Sequence, residues 1–300
     1  MALTLLPENT KLAYCIGAQK AGTTWLYETL RTSSQIHFSR NKELHYFNVI
    51  AGKSDQVFDL RMNTVKTLAK ELVSERGPKN RRNLRVLSEL ADLLSIYTDA
   101  PEHHEAYLSY LTQGFSGQPV ICDITPAYAI LDAKDFSEMG SLGESCFIFI
   151  LRDPIDRMWS QIRMAVSADA AQVADFQTAC EARAQHLIDS KRLPKLERAN
   201  YRRTMSELEA VIPPHRIKYV FYEDLFHAHT MRDICTFLGI SPISPKADLR
   251  SNSGRHAMLP EHLKHSFREA FALQYDFILN RFGAATPARW QINSAQRVPG

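Results

Sequence analysis

The sequence predicts an α/β fold in which helices flank a parallel β-sheet. Three observations lead there. Four short apolar runs lie at Leu12–Ile16, Pro119–Cys122, Cys146–Leu151 and Ile217–Tyr222. The stretches between them carry helical periodicity, and strands that alternate with helices pair in parallel through crossovers packed on the sheet faces. Glycine is scarce, 12 in 300 residues, yet Gly17 and Gly22 both fall just after the first run, where a strand would turn into a helix.

Taken in order, Leu12-Ala-Tyr-Cys-Ile16 reads as a strand, Gly17 to Gly22 as a loop, and the residues from Thr23 as a helix. Phe58, Met62, Val65, Leu68 and Leu72 recur at steps of three and four and mark one apolar helix face. Leu84, Leu87, Leu90 and Leu94 mark another, after the polar turn Gly77-Pro-Lys-Asn-Arg-Arg82. Cys146-Phe-Ile-Phe-Ile-Leu151 is the strongest strand, because an unbroken apolar run suits burial on both faces. Residues Ala165 to Leu208, rich in Ala, Gln, Arg and Glu, read as helix. The last helix is expected to open at Pro260 and to stop at Gly283, with Leu263, Phe267, Phe271, Tyr275, Leu279 and Phe282 inward. The stretch after Thr286 is expected to be loosely ordered. The whole, 1–300, reads as a single domain with helical insertions at about 51–118 and 165–212.

Composition excludes several classes. Hydrophobic residues are 45% and charged residues 23%, the balance of a globular chain rather than a disordered or fibrous one. The net charge of +3 is too small to argue for nucleic acid. Five scattered cysteines, with no C-x-x-C pair, suit neither a disulfide framework nor a zinc site, and point to a reducing compartment such as the cytoplasm. Met1 to Pro7 lacks a basic n-region, so no signal peptide is expected, and no apolar run approaches the ~20 residues of a membrane span.

Two constellations carry chemistry. Gly17-Ala-Gln-Lys-Ala-Gly-Thr-Thr24 follows a strand and opens a helix, the geometry of a phosphate loop, in which backbone N–H groups and the helix dipole face an anion. This makes the sheet P-loop-type. The loop differs from a nucleoside-triphosphate one, where Lys directly follows the second Gly; here Thr23 stands there and Lys20 lies mid-loop. The second constellation, Arg152-Asp-Pro-Ile-Asp-Arg-Met-Trp-Ser160, follows the strongest strand. Asp153 is a natural N-cap and Pro154 a first helical residue, so Arg152 emerges at the carboxyl edge of the sheet, where ligands bind. Arg152 could instead pair with Asp156 as a structural cap. Cys122-Asp123 is the one candidate for an Asp-terminated strand holding magnesium. His103-His104 in Pro101-Glu-His-His-Glu105 reads as a solvated helix start, and the run Lys79 to Arg85 as a solvated turn.

Ile16-Gly-Ala-Gln-Lys-Ala-Gly-Thr-Thr-Trp25 together with Phe149-Ile-Leu-Arg-Asp-Pro-Ile-Asp-Arg-Met-Trp-Ser160 resembles the sulfotransferases that use 3′-phosphoadenosine 5′-phosphosulfate (PAPS), in their Golgi-type and bacterial branch. The resemblance implies that Lys20, Ala21, Gly22, Thr23, Thr24 and Trp25 hold the 5′-phosphosulfate, and that Arg152 and Ser160 hold the 3′-phosphate. Arg255, in Ser253-Gly-Arg-His256, is the nearest equivalent of a late loop over that phosphate. Asn41-Lys-Glu-Leu-His-Tyr-Phe47 looks like the segment whose glutamate is the catalytic base, which implies Glu43. His45 is its rival on pKa grounds, and the two would share a face if the segment were extended. Asp123-Ile-Thr-Pro-Ala-Tyr128 resembles a segment near the acceptor, which implies Thr125 and Tyr128 as substrate contacts. Tyr222-Glu-Asp-Leu225 is also familiar from the family. Position 124, a lysine in heparan-type members, is Ile here, which weakens assignment to a polysulfated glycan. The implied reaction is in-line sulfuryl transfer to a hydroxyl or amine of a carbohydrate, lipid-linked or small-molecule acceptor, without a metal. The competing readings are a P-loop kinase or NTPase and a non-catalytic adenosine-nucleotide-binding protein.

Overall fold

The computed structural model describes residues 6–53, 55–74, 77–98, 103–169, 175–193, 196–245 and 254–295. Five parallel strands form one sheet: β1 (Lys11–Gly17), β2 (Ile36–Phe38), β3 (Val120–Ile124), β4 (Glu144–Leu151) and β5 (Ile217–Phe221), in the spatial order β2-β3-β1-β4-β5. β1 lies at the centre, with Ala13 opposite both Cys122 of β3 and Cys146 of β4. Its neighbours lead the chain away in opposite directions, which makes the carboxyl ends of β1 and β4 a topological switch point. All of β4 but Glu144 is buried, as its apolar run requires.

Helices cover the sheet: α1 (Thr23–Leu30), α2 (Tyr46–Ile50), α3 (Asp55–Ser74), α4 (Pro78–Leu94), α5 (Glu105–Leu111), α6 (Ala133–Ser141), α7 (Pro154–Asp169), α8 (Phe176–Asp189), α9 (Tyr201–Glu209), α10 (Ala228–Leu238), α11 (Glu261–Ala270), α12 (Ala272–Phe282) and α13 (Ala288–Ala295). No helix among the described residues is long and apolar enough to cross a membrane. All five cysteines are buried and unpaired.

Several expectations are corrected. β2 carries only three residues, too few to register as a periodic run. The stretch 165–208 is not one helix: α7 ends at Asp169, and α8 and α9 are separate. The helix expected from Pro260 to Gly283 breaks at Phe271 into α11 and α12, with Pro260 just outside. Beyond that break Ile278 replaces Leu279 as the fully buried residue. On α4 Leu84 is exposed, and Asn83 and Leu93 are buried instead. Helix already resumes at Pro78, so the basic run Lys79 to Arg85 lies on α4 rather than in a turn. His104 is not solvated: it is buried, with Nδ1 3.0 Å from Tyr46 Oη and Nε2 2.9 Å from Glu138 Oε1. Pro101 lies outside the described residues.

The largest correction follows Thr286, where α13 replaces the expected loose end. Trp290 is fully buried and donates from Nε1 to Glu223 Oε1 at 3.1 Å. Asn293 Nδ2 donates to Asp153 Oδ2 at 2.9 Å, and Arg289 pairs with Asp156. The polar side of α13 therefore grips the start of α7, a contact across more than a hundred residues that periodicity does not register.

Candidate active site

The corner after β1 is built for close approach. Gly22 has φ 83°, and a Cβ there would lie 2.7 Å from Leu225 Cδ2 and 3.2 Å from the Tyr222 ring. Only glycine fits such a position without displacing its neighbours. The Tyr222-Glu-Asp-Leu225 stretch thus serves as the wall against which the loop packs. Lys20 sits at φ 69°, and α1 begins directly at Thr23. The first N–H groups of a helix lack intrahelical partners. Among the described residues nothing accepts from the amides of Lys20, Thr23 or Thr24.

Cations converge on this loop. Among the described residues the Lys20 ammonium donates only to the Met164 thioether at 3.5 Å, a weak acceptor. Burial, with Arg152 and Arg163 nearby, pushes the Lys20 ammonium below its ordinary pKa. Arg152 Nη1 donates to Lys20 O at 2.7 Å, its guanidinium lies 4.4 Å from the Tyr222 ring centroid, and its Nε is buried without a partner. Arg198 Nη1 donates to the Gln19 side-chain oxygen at 2.9 Å. Asp153, not Arg152, caps α7: its Oδ1 accepts from Ile155 N at 3.0 Å and Asp156 N at 3.2 Å. Arg152 is therefore free of the capping role and turned toward the loop. Ser160 lies two turns along the same helix, half-buried. Its neighbour Trp159 donates from Nε1 to Ala257 O at 2.8 Å, which ties the Arg255 segment to α7. Arg255 itself is exposed and stacks on Phe176, 4.4 Å from the ring centroid. Ser253 lies outside the described residues.

The segment 42–45 closes the other side. It is not extended: Glu43 has φ 61° and His45 φ 57°. The two still meet, with His45 Nε2 3.7 Å from Glu43 Oε2, while His45 Nδ1 is buried and unpartnered. Lys42 Nζ donates to Thr24 Oγ1 at 2.9 Å and to Glu43 Oε1 at 3.3 Å, and so links this segment to the start of α1. Burial pushes the Glu43 carboxyl up, but His45 and Lys42 outweigh it and hold the group below its ordinary value. Arg61 of α3 fixes the backbone by donating to Glu43 O and Leu44 O, each at 3.0 Å.

Thr125 and Tyr128 turn inward. Both are buried, and their hydroxyls donate to Asp123, Thr125 to Oδ1 at 2.7 Å and Tyr128 to Oδ2 at 2.9 Å. Tyr107 adds a third hydroxyl at 2.9 Å. Burial pushes the Asp123 carboxyl up despite these donors. Asp123 therefore gathers three hydroxyls in a buried cluster, and no group of three or more His, Cys, Asp or Glu side chains placed to hold a metal occurs among the described residues. The sequence reading missed Arg61, Arg157, Arg163 and Arg198. Of these, Arg61 and Arg198 come from the insertions and carry no motif, and Arg157 and Arg163 lie in and just after the second constellation but were given no role.

A family profile described as "Sulfotransferase family" matches residues 13–245, more than half of the chain. No curated protein sequence matches it significantly. The crystal structure of a sulfotransferase from Alicyclobacillus acidocaldarius aligns with a TM-score of 0.61 at 16% identity, over 93% of this chain and 98% of that one. The sulfotransferase domain of the Synechococcus PCC 7002 olefin synthase aligns with a TM-score of 0.45 at 16% identity, over 97% of this chain and 94% of that one. At such identity the first likeness speaks for the fold alone.

Proposed function

Since the chain belongs to the sulfotransferase family, we propose that its donor is PAPS and that it transfers the sulfuryl group to a hydroxyl or amine of a carbohydrate, lipid-linked or small-molecule acceptor. One observation carries this reading. Lys20, in the loop after β1, holds a part-buried ammonium that makes no ion pair among the described residues, with the Glu43 charge acting on it only through space, and Arg152, at the end of the adjacent β4, bonds its carbonyl. Desolvated cations facing one loop are costly unless an anion completes them. A donor with an anionic group at each end, a 5′-phosphosulfate and a 3′-phosphate, meets that requirement.

In this reading Lys20, Thr23, Thr24 and the amides of Lys20, Gly22, Thr23, Thr24 and Trp25 hold the 5′-phosphosulfate, Gly22 and Ala21, whose amide is bonded to Ala18 O at 3.1 Å, shape the loop, and Arg152, Ser160 and Arg255 hold the 3′-phosphate. PAPS supplies a sulfuryl group on a good leaving group. The protein's part is to position and to stabilise charge, as in phosphoryl transfer. Lys20 and the loop amides neutralise charge that builds on the donor's oxygens. Glu43, ionised at neutral pH because Lys42 and His45 lower its pKa, takes the acceptor's proton at a carboxylate oxygen. His45 orients that carboxylate; with Nδ1 unpartnered it is also the second candidate for the base.

The test is incubation of the full chain with sulfur-labelled PAPS and a panel of hydroxyl and amine acceptors, read by mass shift. Transfer without added ATP or magnesium supports the reading. ATP hydrolysis would favour the kinase alternative, and tight nucleotide binding with no transfer to any acceptor would favour the silent binder.

A further inference from the structure

Arg157 breaks a rule that the other buried arginine of this region keeps. Its side chain has no exposed surface, yet among the described residues no carboxylate pairs with it. Nη1 donates to Gln161 Oε1 at 2.9 Å and meets Gln19 O at 3.5 Å, while Nε and Nη2 are enclosed with no partner among the described residues. Arg268 is also buried, but Glu261 lies 2.7 Å from it. Arginine is almost never fully buried without an anion, because only a close opposite charge offsets the loss of its hydration. Burial pushes the Arg157 guanidinium below its ordinary pKa, and Arg198 and Arg152 repel it.

Its place in the fold gives this cost a purpose. Arg157 stands one turn into α7, with its tip under the Gln19 carbonyl in the loop after β1. In a trans peptide the C=O and the next N–H point opposite ways. Drawing the Gln19 carbonyl toward α7 therefore turns the Lys20 N–H away from Arg157, on the side where that amide has no acceptor. The same side chain adds a positive charge beneath a loop that Lys20, Arg152 and Arg198 already make positive.

We propose that Arg157 is a positioning residue for the anionic donor: it anchors the Gln19 carbonyl so that the Lys20 amide is presented to the ligand, and its charge stays uncompensated until that ligand enters the loop. This inference rests on the reading of residues 17–24 as the donor cradle and adds a residue that never touches the donor. It has an unusual consequence. A neutral side chain of similar length removes an unpaired buried charge from the free protein but spoils the loaded one. A purely structural arginine would behave the other way round.

The experiment compares the wild-type chain with Arg157→Met and Arg157→Lys. Each is melted without ligand, then titrated calorimetrically with adenosine 3′,5′-bisphosphate and, separately, with inorganic pyrophosphate. The free Arg157→Met protein is expected to melt at or above the wild-type temperature, with affinity for the bisphosphate lowered at least about tenfold. Arg157→Lys keeps the charge without the fork and is expected to fall between. A free Met variant that melts several degrees lower, or fails to fold, overturns the uncompensated charge. Unchanged affinity in the Met and Lys variants overturns the positioning role. A wild-type chain that binds neither ligand sinks the donor reading instead, while the melting comparison still decides the state of Arg157.

Discussion

The loop 17–24 and the segment 42–45 use the same backbone device in opposite surroundings. Lys20 in the first, and Glu43 and His45 in the second, hold positive φ without being glycine, which costs about 1–3 kcal/mol each. The loop is braced from below by Arg152 and Arg157 of the β4–α7 corner and walled by Tyr222 and Leu225. The segment is braced from an insertion, by Arg61. Their charge differs more than their shape. Around the loop stand Lys20, Arg152, Arg157 and Arg198, which make no ion pair among the described residues; Glu43 acts through space on Lys20 and Arg198, and Glu197 on Arg198. In the segment Lys42, Glu43 and His45 compensate one another. In the proposed reading one half is charged for an incoming anion, and the other keeps its carboxylate ionised.

That contrast is broken most severely at Lys20. Lys20→Ala is expected to lower turnover on the order of 10²-fold or more, the scale for one oxyanion-type donor, and to weaken donor binding as well. Steady-state rates with both substrates varied are the measurement, and unchanged turnover would remove the loop from the reaction. Glu43→Gln is expected to lose about 10²-fold in kcat, the lower end for a general base, with donor affinity nearly kept. His45→Ala is expected to lose less. If Glu43→Gln stays fully active while His45→Ala is dead, the base is the imidazole.

How much of this was legible follows the same division. The strands β1, β3, β4 and β5 and the corner Gly17 to Thr24 stand out because each is a run of contiguous residues. The Arg152-Asp153-Pro154 corner was legible for the same reason, and Asp153 caps α7 as its residue type implies. What stayed hidden is long-range. Arg61 and Arg198 reach the site from insertions with no motif of their own, Arg157 looks like any helical arginine until its burial is known, and α13 docks by a few polar atoms. Which way Thr125 and Tyr128 turn was not legible, because adjacency in sequence to a site does not fix a side chain's direction; Asp123 draws both hydroxyls inward.

A smaller effect sharpens the comparison of the two braces. Arg61→Met leaves Glu43 chemically intact and frees its backbone. The expected outcome is about a tenfold fall in kcat, the order of loss from imperfect alignment of a reacting group, with the donor dissociation constant unchanged. Equal losses in both would mean that the insertion supports the whole site and that the two halves are not independent.

The smallest effect tests the charge contrast through stability. In the Tyr222–Leu225 wall of the proposed donor half, Glu223 accepts from Trp290 Nε1 at 3.1 Å and leaves Oε2 buried without a partner among the described residues. Burial pushes its carboxyl up to about 7. In the unfolded chain the group ionises near its ordinary value, so between about pH 4.5 and 7 the native state holds the extra proton. Stability therefore falls across that window and stays lower above it, by at most about 3 kcal/mol. Glu43 has the reverse sign: its folded carboxyl is held below the ordinary value, so its contribution is present above that value and is lost as pH falls through the folded pKa. Glu223→Gln should thus match wild type in melting temperature near pH 4.5 and exceed it by a few degrees at pH 8. Glu43→Gln should melt slightly lower at pH 8, with the gap closing on acidification. Melting curves at four or five pH values decide it. Two variants that shift in the same direction would show that the donor and base halves do not carry their charges in opposite senses.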